Sequence, residues 1–431
     1  MSSSAQPSEQ IERTRSQLNQ CTEHYEVSGK FAVRRVVLPS GQEVITKIVI
    51  DPTLPKGEDA QSIFDYSYLR LKVKPEADFS EEISSADLFC SCGCLSLGAL
   101  EACNAIGKKF TPIVATDIDP NSVAVYKDNF KPLKTYSVDI STLIDGVLGS
   151  KPTINELKLQ KDCFGIGTSL SLLLAGPPCQ GYSSLNNYHR QDDGRNILYE
   201  RVARFVELTS PTSVLIENVP TVIHSEDKVV EKTIQLMEDE GYLVDSGIIN
   251  LADIGVPQLR KRHVVVASKR KKVSIKDVIE KHRVPSKRIF EWAAGELQDE
   301  PPVGLLSTPT NPSEDNKRRM TYLHDKQIYD LPNEMRPQCH QKKHGYKSMY
   351  GRIRIAEPTQ TITSGFTSPG QGRYTHPTKV RTITPHEAAR LQLIPDFFDF
   401  SKATKRRHLS MMIGNGAPMK LSYVFCLELL T

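Results

Sequence analysis

The stretch Leu172-Leu-Leu-Ala-Gly-Pro-Pro-Cys-Gln-Gly-Tyr182 decides how this chain is read. Ser169 to Ala175 is short and almost continuously apolar, the pattern of a strand buried on both faces of a parallel sheet. Gly176-Pro177-Pro178 forbids its continuation, because proline has no N–H for the ladder and its ring fixes φ. Cys179 is therefore expected on a rigid corner past the carboxyl end of a strand, where open α/β sheets bind ligands. Taken alone, a cysteine is more often a small buried hydrophobe. Between Pro-Pro and Gln-Gly it fits poorly as packing, and a nucleophile needs the exposed, pre-positioned thiolate that such a corner offers.

Upstream, Ala86-Asp-Leu-Phe-Cys-Ser-Cys-Gly-Cys-Leu-Ser-Leu-Gly98 runs a short strand into a turn of small residues and a helix from Leu95 to Ala105. Strand, tight loop and helix N-terminus make a cradle for a nucleotide or cofactor. The next strand, Ile113-Val-Ala-Thr-Asp-Ile-Asp119, ends in carboxylates at the spacing that holds a ribose hydroxyl in dinucleotide folds. A third ends in Val138-Asp139. Cys90, Cys92 and Cys94 lack the two-to-four-residue spacers of zinc knuckles and no partner cluster follows, so no metal is expected.

Downstream, Gly181 to Arg195 is polar and suits a loop that closes over a substrate. A helix, Asn196 to Leu208, leads to the strand Ser213-Val-Leu-Ile-Glu-Asn-Val-Pro220. Glu217 stands where that strand leaves the core, the place for a general acid; the alternative is a Glu that caps the following helix. A further unit gives a helix at 229–240 and a strand at 243–250, then Gln258-Leu-Arg-Lys-Arg262 before the strand Val264 to Ser268. Arg260 and Arg262, two residues apart, are expected to point the same way onto a polar edge.

The N-terminal part is the least informative. Residues 1–28 are polar and read as a loose helix or arm, and Lys30 to Ile50 as a β-hairpin. The N-terminus lacks an apolar signal core and no apolar run spans a membrane, which points to an intracellular protein with reduced cysteines. The net charge of +4 conceals a polarity: residues 1–257 carry 24 Lys and Arg against 35 Asp and Glu, and residues 258–431 carry 31 against 16. Basic segments at 260–288, 317–354 and 379–407 look like a polyanion footprint.

Phe89-x-Ser-x-Gly-Cys, Gly-Pro-Pro-Cys-Gln, Glu-Asn-Val and Gln-x-Arg-x-Arg occur in this order. Arg381-Thr-Ile-Thr-Pro-His-Glu-Ala-Ala-Arg-Leu-Gln-Leu-Ile-Pro-Asp396 and Gly414-Asn-Gly-Ala-Pro418 follow. Together they resemble the DNA (cytosine-5)-methyltransferases, particularly bacterial modification enzymes, over about residues 85–431. The resemblance implies an α/β fold: a Rossmann-like S-adenosylmethionine-dependent methyltransferase sheet with a smaller target-recognition domain. It divides the chain into an N-terminal extension (1–82), a catalytic cofactor-binding domain (83–269), a target-recognition domain (270–400) and a segment returning to the catalytic domain (401–431). It implies catalytic roles for Cys179, Glu217, Asn218, Arg260 and Arg262, with Cys179 attacking C6 of a flipped-out cytosine. It places S-adenosylmethionine against Phe89, Ser91, Gly93, Cys94, Asp117, Ile118, Asp139, Pro178 and Asn415.

The expected partner is double-stranded DNA, bound by a monomer in the cytoplasm or nucleoid of a bacterium or the nucleus of a eukaryote. The family usually has glycine where this chain has Ser91 and Cys94, and a sulfur at Cys94 is expected to crowd the helix start or the cofactor. Two rivals stay open: an RNA (tRNA) cytosine-5 methyltransferase on the same scaffold, and a catalytically weak DNA-binding homologue.

Overall fold

The structure, a computed structural model, describes residues 21–75, 79, 81–165, 169–178, 196–225, 227–341 and 348–431. Cys179 and the loop 181–195 lie outside the described residues.

Three antiparallel strands come first, β1 (Thr22–Ser28), β2 (Phe31–Val37) and β3 (Glu43–Val49). The expected hairpin thus gains a third strand, and residues 22–28, read as part of a loose arm, pair with β2 along its whole length. Their polar alternation marks an edge strand with one wet face. The central strand carries the tie to the rest of the molecule. Arg34, buried, pairs with Glu101 at 2.7 Å, donates to the Tyr423 hydroxyl at 3.0 Å and lies over the Phe64 ring. A buried guanidinium without such partners would be strongly destabilising.

The large sheet is built from β4 (Glu81–Leu88), β5 (Lys108–Asp117), β6 (Lys134–Ser137), β7 (Leu172–Ala175), β8 (Ser213–Asn218), β9 (Leu243–Asn250) and, after the two-residue β10 (Gln258–Leu259), β11 (Lys261–Ser268). Their spatial order is β6-β5-β4-β7-β8-β11-β9, with β11 antiparallel to both neighbours. The second strand expected at 113–119 starts earlier and stops at Asp117, because Asp119 caps the next helix by accepting from Asn121 and Ser122 N–H.

All four residues of β7 are fully buried, and the period of two explains how. Leu172 and Leu174 join the core under the helices Cys94–Ala105 and Met419–Leu430, whereas Leu173 and Ala175 join the core under Asn196–Thr209 and Val229–Asp239. Val264 and Val266 against Val265 and Ala267 of β11 divide in the same way. The chain runs outward from β4 to β6 and returns through β7 to β8, so the order reverses between β4 and β7 and opens a crevice at their carboxyl ends.

The described residues of 269–400 form helices and loops, with a small core around Leu323, Leu331 and Tyr350. This part meets the chain just before β11, where β10 and β12 (Thr359–Gln360) pair in parallel as a separate two-stranded sheet. The last helix, Met419–Leu430, returns to lie on Cys94–Ala105, and Gly98 makes the approach possible. A Cβ there would stand 2.0 Å from the Met419 carbonyl oxygen and 2.7 Å from Tyr423 N. Gly98→Ala should therefore cost about 2–3 kcal/mol in urea unfolding, although alanine in an open helix position would gain about 1. An unchanged or higher midpoint would show that the two helices separate freely.

Candidate active site

The strand tips converge. Phe89 follows β4, Asp117 ends β5, Asp139 follows β6, Pro177 and Pro178 follow β7, and Glu217 and Asn218 end β8. Because β11 runs the other way, its start lies beside the end of β8, with Val264 opposite Glu217 and His263 opposite Asn218. One cleft is lined by Phe89, Ser91, Asp117, Ile118, Asp139, Pro178, Glu217, Asn218, Arg260, Arg262 and Asn415, and from the second region by residues including Asn333, Arg336, Thr361 and Arg373. Gly93 and Cys94 are not part of its wall.

Glu217 and Arg262 form an ion pair, Oε1 to Nε 2.5 Å, with both side chains mostly buried. The capping alternative for Glu217 falls away: the short helix Pro220–His224 begins at Val219 and has no side-chain cap. Asn218 does a different job. Its Nδ2 donates to the Pro177 carbonyl at 3.2 Å while its Oδ1 accepts from Val219 N–H, so it fastens the end of β8 to the Pro-Pro corner.

The two arginines part company. Arg262 faces Glu217, but Arg260 is 1% exposed and its guanidinium is spent on the carbonyls of Ile362, Gly414 and Gly416. Burial, and next the charge of Arg262, pull Arg260 down to about 9. The expectation that both present themselves to one polar edge is corrected on this geometry. Gln258 and Gln392 were not singled out from sequence, yet they complete the same junction. Gln258 Nε2 donates to Leu391 O and Gln392 Oε1, and Gln392 Nε2 donates to Ile413 O and Gly416 O. The signal was the leading glutamine of Gln-x-Arg-x-Arg.

The first loop is wound through the left-handed region: φ is 59° at Phe89, 48° at Ser91 and 97° at Gly93. Gly93 is required twice over, since a Cβ would also lie 2.3 Å from the Phe130 ring. Ser91 N–H donates to Asp117 Oδ2 at 2.9 Å and Asp119 N–H to Asp117 Oδ1 at 2.9 Å. Burial outweighs these bonds and raises the Asp117 carboxyl.

Cys94 turns away from the cleft. Its Sγ lies 3.7 Å from Cys92 Sγ, and a Cβ on Gly416 would meet it at 2.5 Å. The expected crowding of the cofactor is therefore corrected: the sulfur fills space against the C-terminal segment. Cys90 and Cys92 are buried too, and among the described residues no cluster of His, Cys, Asp or Glu is arranged to hold a metal.

The model of the C-5 cytosine-specific DNA methylase family matches residues 83–429. The chain belongs to this family. It is a DNA cytosine-5 methyltransferase. The Type II methyltransferase M1.BsuMI of Bacillus subtilis (strain 168) is 39% identical over 409 residues, 94% of each chain. Among solved structures, the Entamoeba histolytica methyltransferase EhMeth superposes with a TM-score of 0.53 at 15% identity, and the S. pombe Dnmt2 methyltransferase with 0.51 at 18%. Each alignment covers 81% of this chain and 98% of the other. At such identities they speak for the fold alone.

The family uses S-adenosylmethionine, and the residues present fit it. Ile118 is 69% exposed on the cleft beside Asp117, an apolar surface left open next to a carboxylate, and Asp139 is exposed at the neighbouring strand tip. Ile118 would take the purine face, Asp117 and Asp139 the hydroxyl and amino groups, with Phe89, Pro178 and Asn415 closing the walls.

Two tests follow from this loop. Cys94→Gly should lower stability by about 1–3 kcal/mol in urea unfolding without tightening S-adenosylmethionine binding, since it empties a packed site and adds unfolded-state freedom. Ser91→Gly should be neutral or stabilising by up to about 1 kcal/mol, because it relieves a left-handed residue. Tighter cofactor binding by Cys94→Gly in calorimetry would restore the crowding idea.

Behind the loop, Asp87 is buried and accepts from Ser96 Oγ at 2.6 Å, and burial pushes it up to about 7. A carboxyl raised this way gives stability that is fully present below its unfolded pKa and lost as pH rises towards and through 7. Asp87→Asn should thus gain stability relative to wild type as pH goes from 5 to 8.5, read from unfolding midpoints. A difference that stays flat over that range would mean Asp87 is ionised throughout.

Proposed function

We propose that the enzyme methylates C5 of a cytosine flipped out of duplex DNA through a covalent adduct at Cys179, with residues 83–269 as the catalytic domain and 270–400 reading the target. The observation that carries this reading is the buried Glu217–Arg262 pair standing beside the Pro177-Pro178 corner in the same cleft as the cofactor residues. C5 of cytosine is too weak a nucleophile to take a methyl group until addition at C6 makes it enamine-like. Cys179, as thiolate, forms a bond to C6 while the C5–C6 electron pair moves toward C5 and Glu217 holds a proton at N3. Arg262 keeps the Glu217 carboxyl aimed, and Asn218 keeps the Pro-Pro corner fixed so that the cysteine next to it is presented in one place. When bound, S-adenosylmethionine supplies the electrophilic methyl group. After C5 is methylated, water takes the C5 proton, the C–H electrons restore the C5–C6 double bond and the thiolate leaves. Flipping costs a few kcal/mol of unstacking, offset by the pocket and by phosphate contacts from the basic second half.

A DNA duplex bearing 5-fluorocytosine at the target should trap the wild-type protein covalently, because fluorine cannot leave C5 as a proton does. Cys179→Ser should abolish both trapping and methyl transfer, and Glu217→Gln should slow transfer by at least a hundredfold with cofactor binding kept. A trapped serine variant would move the nucleophile elsewhere. Labelled methyl transfer to tRNA rather than DNA would replace the substrate in this reading.

A further inference from the structure

The family's reaction uses the cleft walls, but one buried charge in those walls forms no ion pair with a carboxylate among the described residues. Arg260 donates to Ile362 O at 2.7 Å, to Gly414 O at 3.3 and 3.4 Å, and to Gly416 O at 3.0 Å. Gly414 and Gly416 bracket Asn415, a residue of the cofactor wall, and neither tolerates a side chain. A Cβ on Gly414 would lie 2.2 Å from Ser364 N, and one on Gly416 would lie 2.5 Å from Cys94 Sγ. Asn415 is therefore presented from a backbone pinched between two contacts, and the cation that holds both flanking carbonyls is Arg260. Ile362 belongs to the segment Thr361–Ser364, which follows β12, lines the same cleft and packs against Gly414.

We propose that Arg260 is a positioning residue rather than a contact to the target base: it fixes Asn415 in the cofactor wall and locks that wall to the Thr361–Ser364 segment. A charge whose terminal nitrogens are met by carbonyl dipoles while its Nε has no acceptor among the described residues, in a site where burial disfavours it, fits a role in the geometry it imposes. Arginine suits the task because its planar fork reaches three carbonyls on two segments at once, which the single ammonium of lysine cannot do. The proposal rests on the reading of the cleft as the S-adenosylmethionine site.

The test is calorimetric titration of S-adenosylmethionine, without DNA, into wild type, Arg260→Lys, Asn415→Ala and the double variant. Arg260→Lys should bind the cofactor at least fivefold more weakly, although no base is present to be contacted. In the double variant the two losses should not multiply: its dissociation constant should stay within twofold of that of Asn415→Ala. A base-contact role predicts unchanged cofactor binding by Arg260→Lys. General loosening predicts losses that multiply, and either outcome overturns the proposal. Should wild type fail to bind S-adenosylmethionine, the cofactor reading itself falls and takes the proposal with it. Arg260→Met, which removes every donor, should lose more affinity than Arg260→Lys; equal affinity would also count against the proposal.

Discussion

Burial on both faces is the constraint on which this molecule depends. Strands β7, β8 and β11 have no wet side, so they must be apolar along their length and can carry polar chemistry only where they leave the core. Six strands of one direction, β4 to β9, leave it at the same edge, and the antiparallel β11 enters there. Asp117, Glu217, Asn218 and Arg262 are gathered by this rule and not by nearness in sequence. The Pro177-Pro178 corner follows from the same rule, as it ends β7 where the ladder no longer needs its N–H groups.

The second constraint is charge taken out of water. Arg34 holds the N-terminal sheet to the helices Cys94–Ala105 and Met419–Leu430, and His282, 3.2 Å from Glu23 and 3.7 Å from Glu428, ties that sheet and the last helix to the segment after Lys281. His386 stands between Glu300 and Asp396, with Arg390 on the same aspartate. Each of these clusters joins segments far apart in the chain. Together they make residues 21–75 part of the body of the enzyme rather than an appendage.

What could be read from sequence followed from local rules. The apolar run at 172–175, the proline stops and the acid at each strand end are short-range patterns; with the residues that the family resemblance adds, eleven of the fourteen candidates line one cleft. What could not be read depended on long-range direction. Nothing in Cys94 tells that its sulfur faces Gly416, because that contact is made across more than three hundred residues. Arg260 and Arg262 share a spacing but not a fate, since a chain passing behind the sheet offers carbonyls to one and not to the other. Residues 22–28 do not read as a strand because a strand at a sheet edge needs few apolar residues, and its partner is what makes it a strand.

The junction made by Gln258, Arg260 and Gln392 has one property with a wider reach. Nearly all of its acceptors on the far side are main-chain carbonyls: Ile362, Leu391, Ile413, Gly414 and Gly416. A carbonyl is the same whatever side chain hangs beside it. The junction between the strand region, residues 359–392 and the C-terminal segment can thus keep its grip whatever side chains surround it. Three polar side chains and two glycines are what it requires; beyond them the joint sets no side chain in the neighbouring segment.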